Sequence, residues 1–310
     1  MSITKVKTAS HGEWLALRST YIGGSDAAAV VGLNPFSSPY ALWAEKTGQI
    51  PGFSGNLATE VGTYLEEFVA QKFAAETGKK IRRCKQSFFN TDYPFAIANI
   101  DREIVGEDAG LEIKTTSELN MKKFKGGEYP ANYYCQCVHY MAMTGKKRWY
   151  LSVLIGNRDF RWFTIERDEA EIAALMEAEA DFWELVKTHT PPAADSSRAT
   201  TETIETFYPE SRDETVDLTL ESAALAQYIA LGKQIAELET MRDEAANRIK
   251  AFMGDAGGGE CDGYRVSWKS STRRTFDSKK FAKENPGLDL TGYYKETSAR
   301  TFRVTEMKGA

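Results

Sequence analysis

Ile100-Asp101 and, after the turn-rich residues 105–110, Leu111-Glu112-Ile113-Lys114 form the stretch of sequence that decides the fold. The glycines and acidic residues between the two segments predict a chain reversal that joins two strands. Because successive side chains of a strand point to opposite faces, Glu112 and Lys114 project from one face while Ile113 packs into the other. The reversal would place Asp101 opposite Glu112.

This arrangement indicates metal-assisted chemistry on phosphodiesters. Two neighbouring carboxylates, Asp101 and Glu112, can share a hard divalent cation such as Mg²⁺. Lys114 could then orient or activate water and stabilise phosphoryl charge, which completes the groups needed for phosphodiester hydrolysis. The alternative is a solvated strand edge, because Asp…Glu-x-Lys also arises by chance in charged proteins.

An amphipathic helix is predicted upstream, over residues 60–78. Glu66 borders its apolar stripe beside Gly62, one turn earlier, whereas Glu67 points to solvent. A carboxylate at the rim of a buried face is a candidate site residue, although Glu66 could also be an ordinary surface glutamate. The predicted stripe consists of Val61, Leu65, Phe68, Val69 and Phe73.

A second helix is predicted to begin near Pro130 and to end at Gly145, before a strand over Arg148–Ile155. Its two faces differ in character. The core stripe consists of Tyr134, Val138, Met141 and Ala142. The face that could line a groove consists of Gln136, His139, Tyr140 and Met143.

Near the N-terminus, Gly23-Gly24-Ser25 is a weak signal for a phosphate-binding loop. Ser25 or Asp26 could simply cap a short helix that follows. Both roles are compatible, because the free N–H groups at a helix N-terminus form a natural anion site.

Composition restricts the class of protein. The chain has 310 residues, 42% hydrophobic and 27% charged, and no apolar run approaches the ~18 residues of a membrane span. We expect no signal peptide, and reduced thiols in a cytosolic protein. With three histidines and no zinc-like cysteine spacing, a hard-cation site fits better than a transition-metal site.

The net charge of −5 is unevenly distributed, since residues 264–310 hold eleven Lys and Arg against five acids. Such basic clusters could line a DNA path, or could be solvated surface. We predict a nuclease-type core over residues 1–190, a linker or surface connection over 191–213, and a long helix with a small basic module over 214–310. The long helix carries a heptad-like seam that packs within the chain or against a neighbouring subunit.

Several motifs together make the chain resemble the YqaJ-like viral recombinases, which belong with the phage lambda exonuclease group of PD-(D/E)xK nucleases. The resemblance covers roughly residues 14–165. The motifs are, in chain order, Trp14-x-x-x-Arg18, Ile22-Gly23-Gly24-Ser25-Asp26, Gly62-x-x-x-Glu66, Asp101…Glu112-Ile113-Lys114 and Tyr134-x-Gln136.

The resemblance implies a metal site with defined ligands. Asp101 and Glu112 match the metal-binding carboxylates, and the main-chain carbonyl of Ile113 matches a further ligand. Lys114 matches the catalytic lysine. The implied cofactor is Mg²⁺, for which Mn²⁺ can substitute, with two ions in each active site. Ile100 replaces the proline of the superfamily motif, a variation that is common in this group.

The resemblance also assigns four residues around that site. Glu66 matches the helix glutamate that completes the acidic cluster, and Gln136 matches a glutamine that positions water or phosphate. Arg18 and Ser25 match residues that meet backbone phosphates, in particular the 5′-terminal phosphate of DNA.

The fold implied is an α/β, restriction-endonuclease-like (PD-(D/E)xK) core, with a central mixed sheet flanked by helices and a helical, basic C-terminal appendage. The activity implied is Mg²⁺-dependent 5′-to-3′ digestion of one strand of linear double-stranded DNA, giving 5′-mononucleotides and a 3′ overhang. A homotrimeric ring and a single-strand-annealing partner in a phage-infected bacterial cytoplasm are also implied. An endonuclease, or a non-catalytic scaffold that binds DNA ends, remains the alternative.

Overall fold

The computed structural model describes residues 2–7, 10–295 and 300–305, apart from the side chains of His11, Trp14 and Leu15. The chain divides into two compact units, Met1–Tyr208 and Pro209–Ala310. Within the residues that are described, no helix is both long and apolar enough to cross a membrane.

The first unit contains both strands and helices. Its strands are β1 (Ile3–Val6), β2 (Ile22–Gly23), β3 (Ile81–Arg83), β4 (Ser87–Asn90), β5 (Ala96–Asn99), β6 (Arg102–Ile104), β7 (Ala109–Thr116), β8 (Arg148–Ile155) and β9 (Asp159–Glu166). Its α-helices are α1 (His11–Ser19), α2 (Gly24–Val30), α3 (Pro39–Lys46), α4 (Leu57–Thr77), α5 (Ala131–Thr144), α6 (Glu169–Lys187) and α7 (Arg198–Phe207). A 3-10 segment spans Glu118–Gly127.

The main sheet has five strands in the order β3-β6-β7-β8-β9. The strands β7 and β8 are parallel, and the other neighbours are antiparallel, so the sheet is mixed. A second sheet, in the order β1-β4-β5-β2, includes one parallel pair, β2 with β5. The predicted α/β core with a mixed sheet flanked by helices is therefore confirmed.

Helices cover both faces of the main sheet. On one face, Val69 and Phe73 of α4 pack against Leu111 of β7 and Tyr150 of β8. On the other face, α5 and α6 pack against alternate residues of β8, among them Trp149. Gly110 of β7 lies directly below the Trp149 ring, and a Cβ at this position would overlap it. The even-numbered side chains of β7 thus face α5.

The buried face of α4 differs from the predicted stripe. Val61 and Phe68 are 44% and 54% exposed, whereas Val69, Ala70 and Phe73 are fully buried. The face in contact with the sheet is therefore rotated by about a quarter turn, at 100° per residue, toward the side that carries Gly62 and Glu66. Gly62 permits this approach, because a Cβ there would lie 3.1 Å from the Thr115 hydroxyl of β7.

The first unit extends beyond the predicted boundary at residue 190, because the segment predicted as a linker contains α7. Thr200 of α7 is buried, and its hydroxyl donates a 2.8 Å hydrogen bond to the Ser38 hydroxyl. The ring of Phe207 lies 6.2 Å from that of Tyr40, between centroids. Prolines, serines and threonines predicted a linker or surface connection, but here Ser197 caps α7 and Thr200 forms one of its buried contacts.

The second unit contains α8 (Ser222–Met253), the hairpin of β10 (Gly258–Cys261) and β11 (Tyr264–Ser267), and α9 (Ser278–Glu284). The sequence predicts two strands in the basic module, over residues 264–269 and 293–304, and the first is confirmed as β11. The strand predicted over residues 293–304 is wrong for the part that is described: Thr291–Tyr293 form a 3-10 turn, and residues 294–295 and 300–304 form no strand. Residues 296–299 lie outside the description.

Candidate active site

Asp101 and Glu112 lie next to each other, as their spacing predicts. Asp101 directly precedes β6, whose Arg102 pairs with Leu111, and the Ile113 N–H donates a 2.8 Å hydrogen bond to Asp101 Oδ2. Glu112 is 2% exposed. Burial, and secondly the charge of Glu112, raises the pKa of Asp101 well above its ordinary value. A buried carboxylate, Glu112, therefore lies close enough to the partly buried Asp101 to influence its ionisation.

One oxygen of this pair has no partner. Glu112 Oε1 lies 2.7 Å from Lys114 Nζ, but Glu112 Oε2 is buried and makes no hydrogen bond with any described residue. An unsatisfied carboxylate oxygen is costly inside a protein unless a cation or donor reaches it. The oxygen donors of Asp101 and Glu112 therefore fit a hard divalent cation.

Lys114 is fixed between two side chains. Its Nζ contacts Glu112 and also donates a 2.8 Å hydrogen bond to Gln136 Oε1 of α5. Burial by itself lowers the pKa of Lys114, but the Glu112 carboxylate and then Asp101 outweigh burial and raise it. The ammonium group is therefore charged at neutral pH, beside the carboxylate pair.

Gln136 connects this site to the N-terminal motif through Tyr140, a contact that the sequence did not predict. The Gln136 Nε2 donates a 2.8 Å hydrogen bond to the Tyr140 hydroxyl one turn later. The Tyr140 ring packs on Gly24, where any Cβ would overlap it. The sequence signal was the spacing of four residues between Gln136 and Tyr140 on one helix.

Arg18 and Ser25 are also brought together, since Arg18 Nη2 donates a hydrogen bond to Ser25 Oγ. The capping role falls to Asp26, whose carboxylate accepts a 3.0 Å hydrogen bond from the Gly23 N–H. Asp26 also pairs with Lys46 at 2.8 Å. Burial raises the pKa of Asp26, but the charges of Lys46 and Arg18 more than offset burial and lower it. Ser25 therefore does not cap this helix, and its hydroxyl also lies 3.4 Å from Asp26 Oδ1.

Glu66 is tied to an arginine that the sequence analysis overlooked. Arg102, which is buried, binds Glu66 Oε1 through Nη1 at 2.6 Å and Glu67 Oε2 through Nη2 at 2.9 Å. The side chain of Glu66 is 24% exposed and that of Glu67 is 59% exposed. Glu66 is the inner residue, as predicted, but Glu67 does not simply point to solvent. The sequence signal for this contact was the position of Arg102 directly after Asp101, because neighbouring residues of a strand point to opposite faces.

No group of three His, Cys, Asp or Glu side chains among the described residues is arranged to hold a metal ion. Glu66 does not join Asp101 and Glu112 in such a group, because its carboxylate forms an ion pair with Arg102. Its charge still reaches the site, because Glu66 contributes to the raised pKa of Asp101. A cation at this site would therefore need Asp101, Glu112 and a main-chain oxygen as ligands. That the carbonyl oxygen of Ile113 is this third ligand stays a prediction.

The prediction that His139 lines a groove is wrong. Its ring is fully buried, with Nδ1 2.8 Å from Glu179 Oε1 and Nε2 3.0 Å from the Ile97 carbonyl oxygen. Burial lowers the pKa of His139, but the charge and hydrogen bond of Glu179 more than compensate and raise it. His139 therefore links α5 to α6 and β5. The sequence of α5 alone could not predict this role, because the acidic partner lies in α6.

Comparisons with known proteins agree with these motifs. The sequence model of the YqaJ-like viral recombinase domain matches residues 13–147, which include every predicted site residue. The uncharacterized protein YqaJ of Bacillus subtilis (strain 168) is 38% identical over 311 residues, which are 98% of this chain and 97% of that protein.

Solved structures with a similar chain path share less of the sequence. The alkaline exonuclease LHK-Exo from Laribacter hongkongensis, in its complex with dAMP, is 21% identical with a TM-score of 0.49 and covers 58% of this chain and 94% of that chain. A phage-related exonuclease from Haemophilus somnus 129PT is 13% identical, with a TM-score of 0.42. The alignment covers 57% of this chain and 99% of that chain.

Proposed function

The chain belongs to the YqaJ-like viral recombinase family, and we propose that it is a metal-dependent exonuclease that digests one strand of linear double-stranded DNA from the 5′ end. Family membership supports a nuclease. The observation that carries the proposal is the unpartnered, buried oxygen of Glu112, beside Asp101 and next to the charged Lys114.

Asp101 and Glu112 would hold the metal ion, together with the main-chain carbonyl of Ile113. The proposed ion is Mg²⁺, with Mn²⁺ as a substitute and two ions in each site. The chemistry that such ions supply is Lewis-acid polarisation of the phosphate. The protein contributes two carboxylates that burial and proximity make strong cation ligands.

Lys114 acts as a fixed positive charge rather than as a base. A lysine acts as a base only if its pKa falls toward neutrality, but here the two carboxylates raise the pKa. The ammonium group would therefore stabilise the negative charge that develops on the phosphoryl group. Gln136 holds Nζ in place from α5, and Tyr140 holds Gln136.

Arg18 and Ser25 are proposed to bind the 5′-terminal phosphate. An arginine fork forms paired, charge-assisted hydrogen bonds with a phosphate, and the Ser25 hydroxyl adds a further donor. The Tyr140 ring packs on Gly24, next to Ser25, and its hydroxyl accepts a hydrogen bond from Gln136, which in turn accepts one from Lys114. The proposed binding site for the terminal phosphate is thus linked to Lys114 through neighbouring side chains.

DNA outside the catalytic centre would meet basic surface. Lys122, Lys123 and Lys125 of the 3-10 segment are exposed, and such clusters attract the phosphate backbone. The products are 5′-mononucleotides and a 3′ single strand, which a single-strand-annealing protein would coat in the bacterial cytoplasm during phage-type recombination. A homotrimeric ring threaded by DNA is the assembly we propose for processive digestion.

Three duplex substrates test this function: a linear duplex with 5′-phosphate ends, the same duplex with 5′-hydroxyl ends, and a covalently closed circle. With Mg²⁺ we expect digestion of the linear duplexes, faster with the 5′-phosphate, and an intact circle. Cleavage of the circle would favour an endonuclease. Binding to ends without any digestion, with either Mg²⁺ or Mn²⁺, would favour the end-binding scaffold.

A further inference from the structure

The helix α8 of the second unit carries an apolar seam that the unit does not bury. None of the described residues of Pro209–Ala310 is buried. Ile235, Leu238 and Phe252 of this helix are 57%, 63% and 94% exposed. The α8 seam, as we define it, consists of Tyr228, Leu231, Ile235, Leu238, Arg242, Ala245, Ile249 and Phe252.

The spacing of the α8 seam is that of a coiled coil. Its members follow one another at intervals of three and four residues without a break, which gives a strict seven-residue repeat. A helix that packs on a sheet or in a globular core shows a broader apolar face with a period of 3.6. The opposite face of α8 is polar, with Lys233, Glu237, Glu244 and Asn247. The seam therefore fits one partner helix of similar length.

Tyr228 illustrates how little of the seam is covered. Its ring meets that of Phe302 edge-on, with 5.3 Å between centroids, yet Tyr228 remains 52% exposed. Farther along the helix, Leu231 and Ile249 are each 48% exposed. Contacts of this kind leave the apolar stripe in water along about 36 Å of helix, at 1.5 Å per residue.

We propose that α8 pairs with the α8 helix of a second copy of this chain, in an antiparallel coiled coil centred near Thr240. In this register Tyr228 faces Phe252, Leu231 faces Ile249 and Ile235 faces Ala245. Large aromatic residues thus meet at both ends. Because the contact is symmetric, each pair occurs twice.

Arg242 decides the direction of the pairing. A parallel pair in register would place the Arg242 side chains of the two copies against each other, with like charges in an apolar seam. In the antiparallel pair, Arg242 faces Leu238 of the second copy and can extend its guanidinium to Glu239 beside it. Within the chain, Arg242 Nη2 already lies 3.8 Å from Glu239 Oε1. The stem of the arginine covers Leu238 while its charge reaches the edge of the seam.

The inference does not depend on the nuclease site, because every residue that carries it belongs to α8. The mass of the full-length particle in solution is the first measurement. Leu231→Glu/Ile249→Glu places charges at two facing seam positions, and Ala230→Glu/Ala251→Glu adds the same charge off the seam. Each copy has one α8, so the pairing joins copies in twos, and it joins two rings if the ring of three copies proposed above also forms. In either case we expect the seam variant to have half the mass of the wild type, and the off-seam variant to keep the full mass. An unchanged mass in the seam variant would overturn the proposal.

Cross-linking tests the direction and does not rely on destabilising α8. Two differently tagged chains, one with Ile235→Cys and the other with Ala245→Cys, are co-expressed and oxidised, with Cys84 and Cys261 changed to serine in both because these native thiols are not buried. We expect a disulfide between residue 235 of one chain and residue 245 of the other. Efficient linking of Ile235→Cys chains to each other, or no link in the mixed sample, would contradict antiparallel pairing.

Discussion

The Lys114 ammonium lies 2.7 Å from the Glu112 carboxylate, and the two side chains leave the same face of β7. Strand alternation places them on one face, and Gln136 of α5 completes the environment from above. The contact uses one Glu112 oxygen and leaves the other buried and unpartnered. This single relationship therefore favours the charged form of the lysine and leaves one buried carboxylate oxygen that the proposed cation would satisfy.

Loss of the Lys114 charge should slow catalysis much more than binding. Lys114→Ala removes a group that stabilises developing phosphoryl charge, so we expect a loss of turnover of ~10³-fold or more. Binding of linear duplex should change little, because in the proposed complex Lys114 would be one of many cations near the phosphate backbone. Single-turnover digestion and a binding titration separate the two effects. Near-wild-type cleavage by this variant would remove Lys114 from the site.

Glu66 and Glu67 should differ in their effect on activity although both bind Arg102. Glu66→Gln removes a charge that acts on Asp101, and we expect a clear loss of cleavage rate. Glu67→Gln alters a side chain that is 59% exposed, so its stability change should stay within the ~0.5 kcal/mol of surface substitutions, with activity retained. Initial rates and urea unfolding of the two variants provide the comparison. Equal losses of activity would show that Arg102 couples both residues to the site.

Arg18 should determine the preference for a 5′-phosphate. Arg18→Ala removes paired, charge-assisted hydrogen bonds to a terminal phosphate and leaves the carboxylates in place. We expect the variant to lose most of the preference for 5′-phosphorylated over 5′-hydroxyl duplex and to digest in short bursts. Arg148→Ala, a change to a partly exposed arginine paired with Glu166, is the control. Full retention of the preference by Arg18→Ala would indicate a structural arginine.

His139 should make the stability of the first unit fall as the pH rises from about 6.5 through the pKa of this residue in the folded protein. Its pKa in the folded protein is raised above the ordinary value of about 6.5. Its contribution to the free energy of unfolding is therefore complete below about pH 6.5 and is lost as the pH rises through the folded pKa. We expect His139→Gln/Glu179→Gln, which replaces the ion pair by two amides, to lack this part of the pH dependence. Parallel stability curves from urea unfolding would contradict the assignment.

Local patterns predicted the strand that carries Glu112 and Lys114 well, and contacts between distant elements account for what they missed. The alternation of Glu112, Ile113 and Lys114 needs only strand geometry, and the strand Arg148–Ile155 is an unbroken run of suitable residues. The bridge from Arg102 to Glu66, however, joins residues 36 apart in the chain. The His139–Glu179 pair spans 40 residues. Such partners follow from how helices approach the sheet, which periodicity does not specify.

The rotation of α4 has the same origin. Its apolar residues include more than the sheet can cover, so hydrophobicity alone did not show that Val61 and Phe68 would be exposed. The approach of Gly62 to Thr115 selects the buried face. The same rotation turns Glu66 toward the sheet. The predicted order of the two glutamates, with Glu66 less exposed than Glu67, is therefore correct although the predicted apolar stripe was misplaced.

The initial rate of digestion of linear duplex by Glu112→Gln in Mg²⁺ is the most direct test of the central claim, that Asp101 and Glu112 form a cation site. The amide keeps the shape of the side chain and removes its charge. Asp108→Asn, an exposed carboxylate in the preceding turn, is the matched control. We predict a loss of at least ~10³-fold for Glu112→Gln, since the metal ion contributes several kcal/mol to catalysis, and an unchanged rate for Asp108→Asn. A wild-type rate in Glu112→Gln would contradict the account.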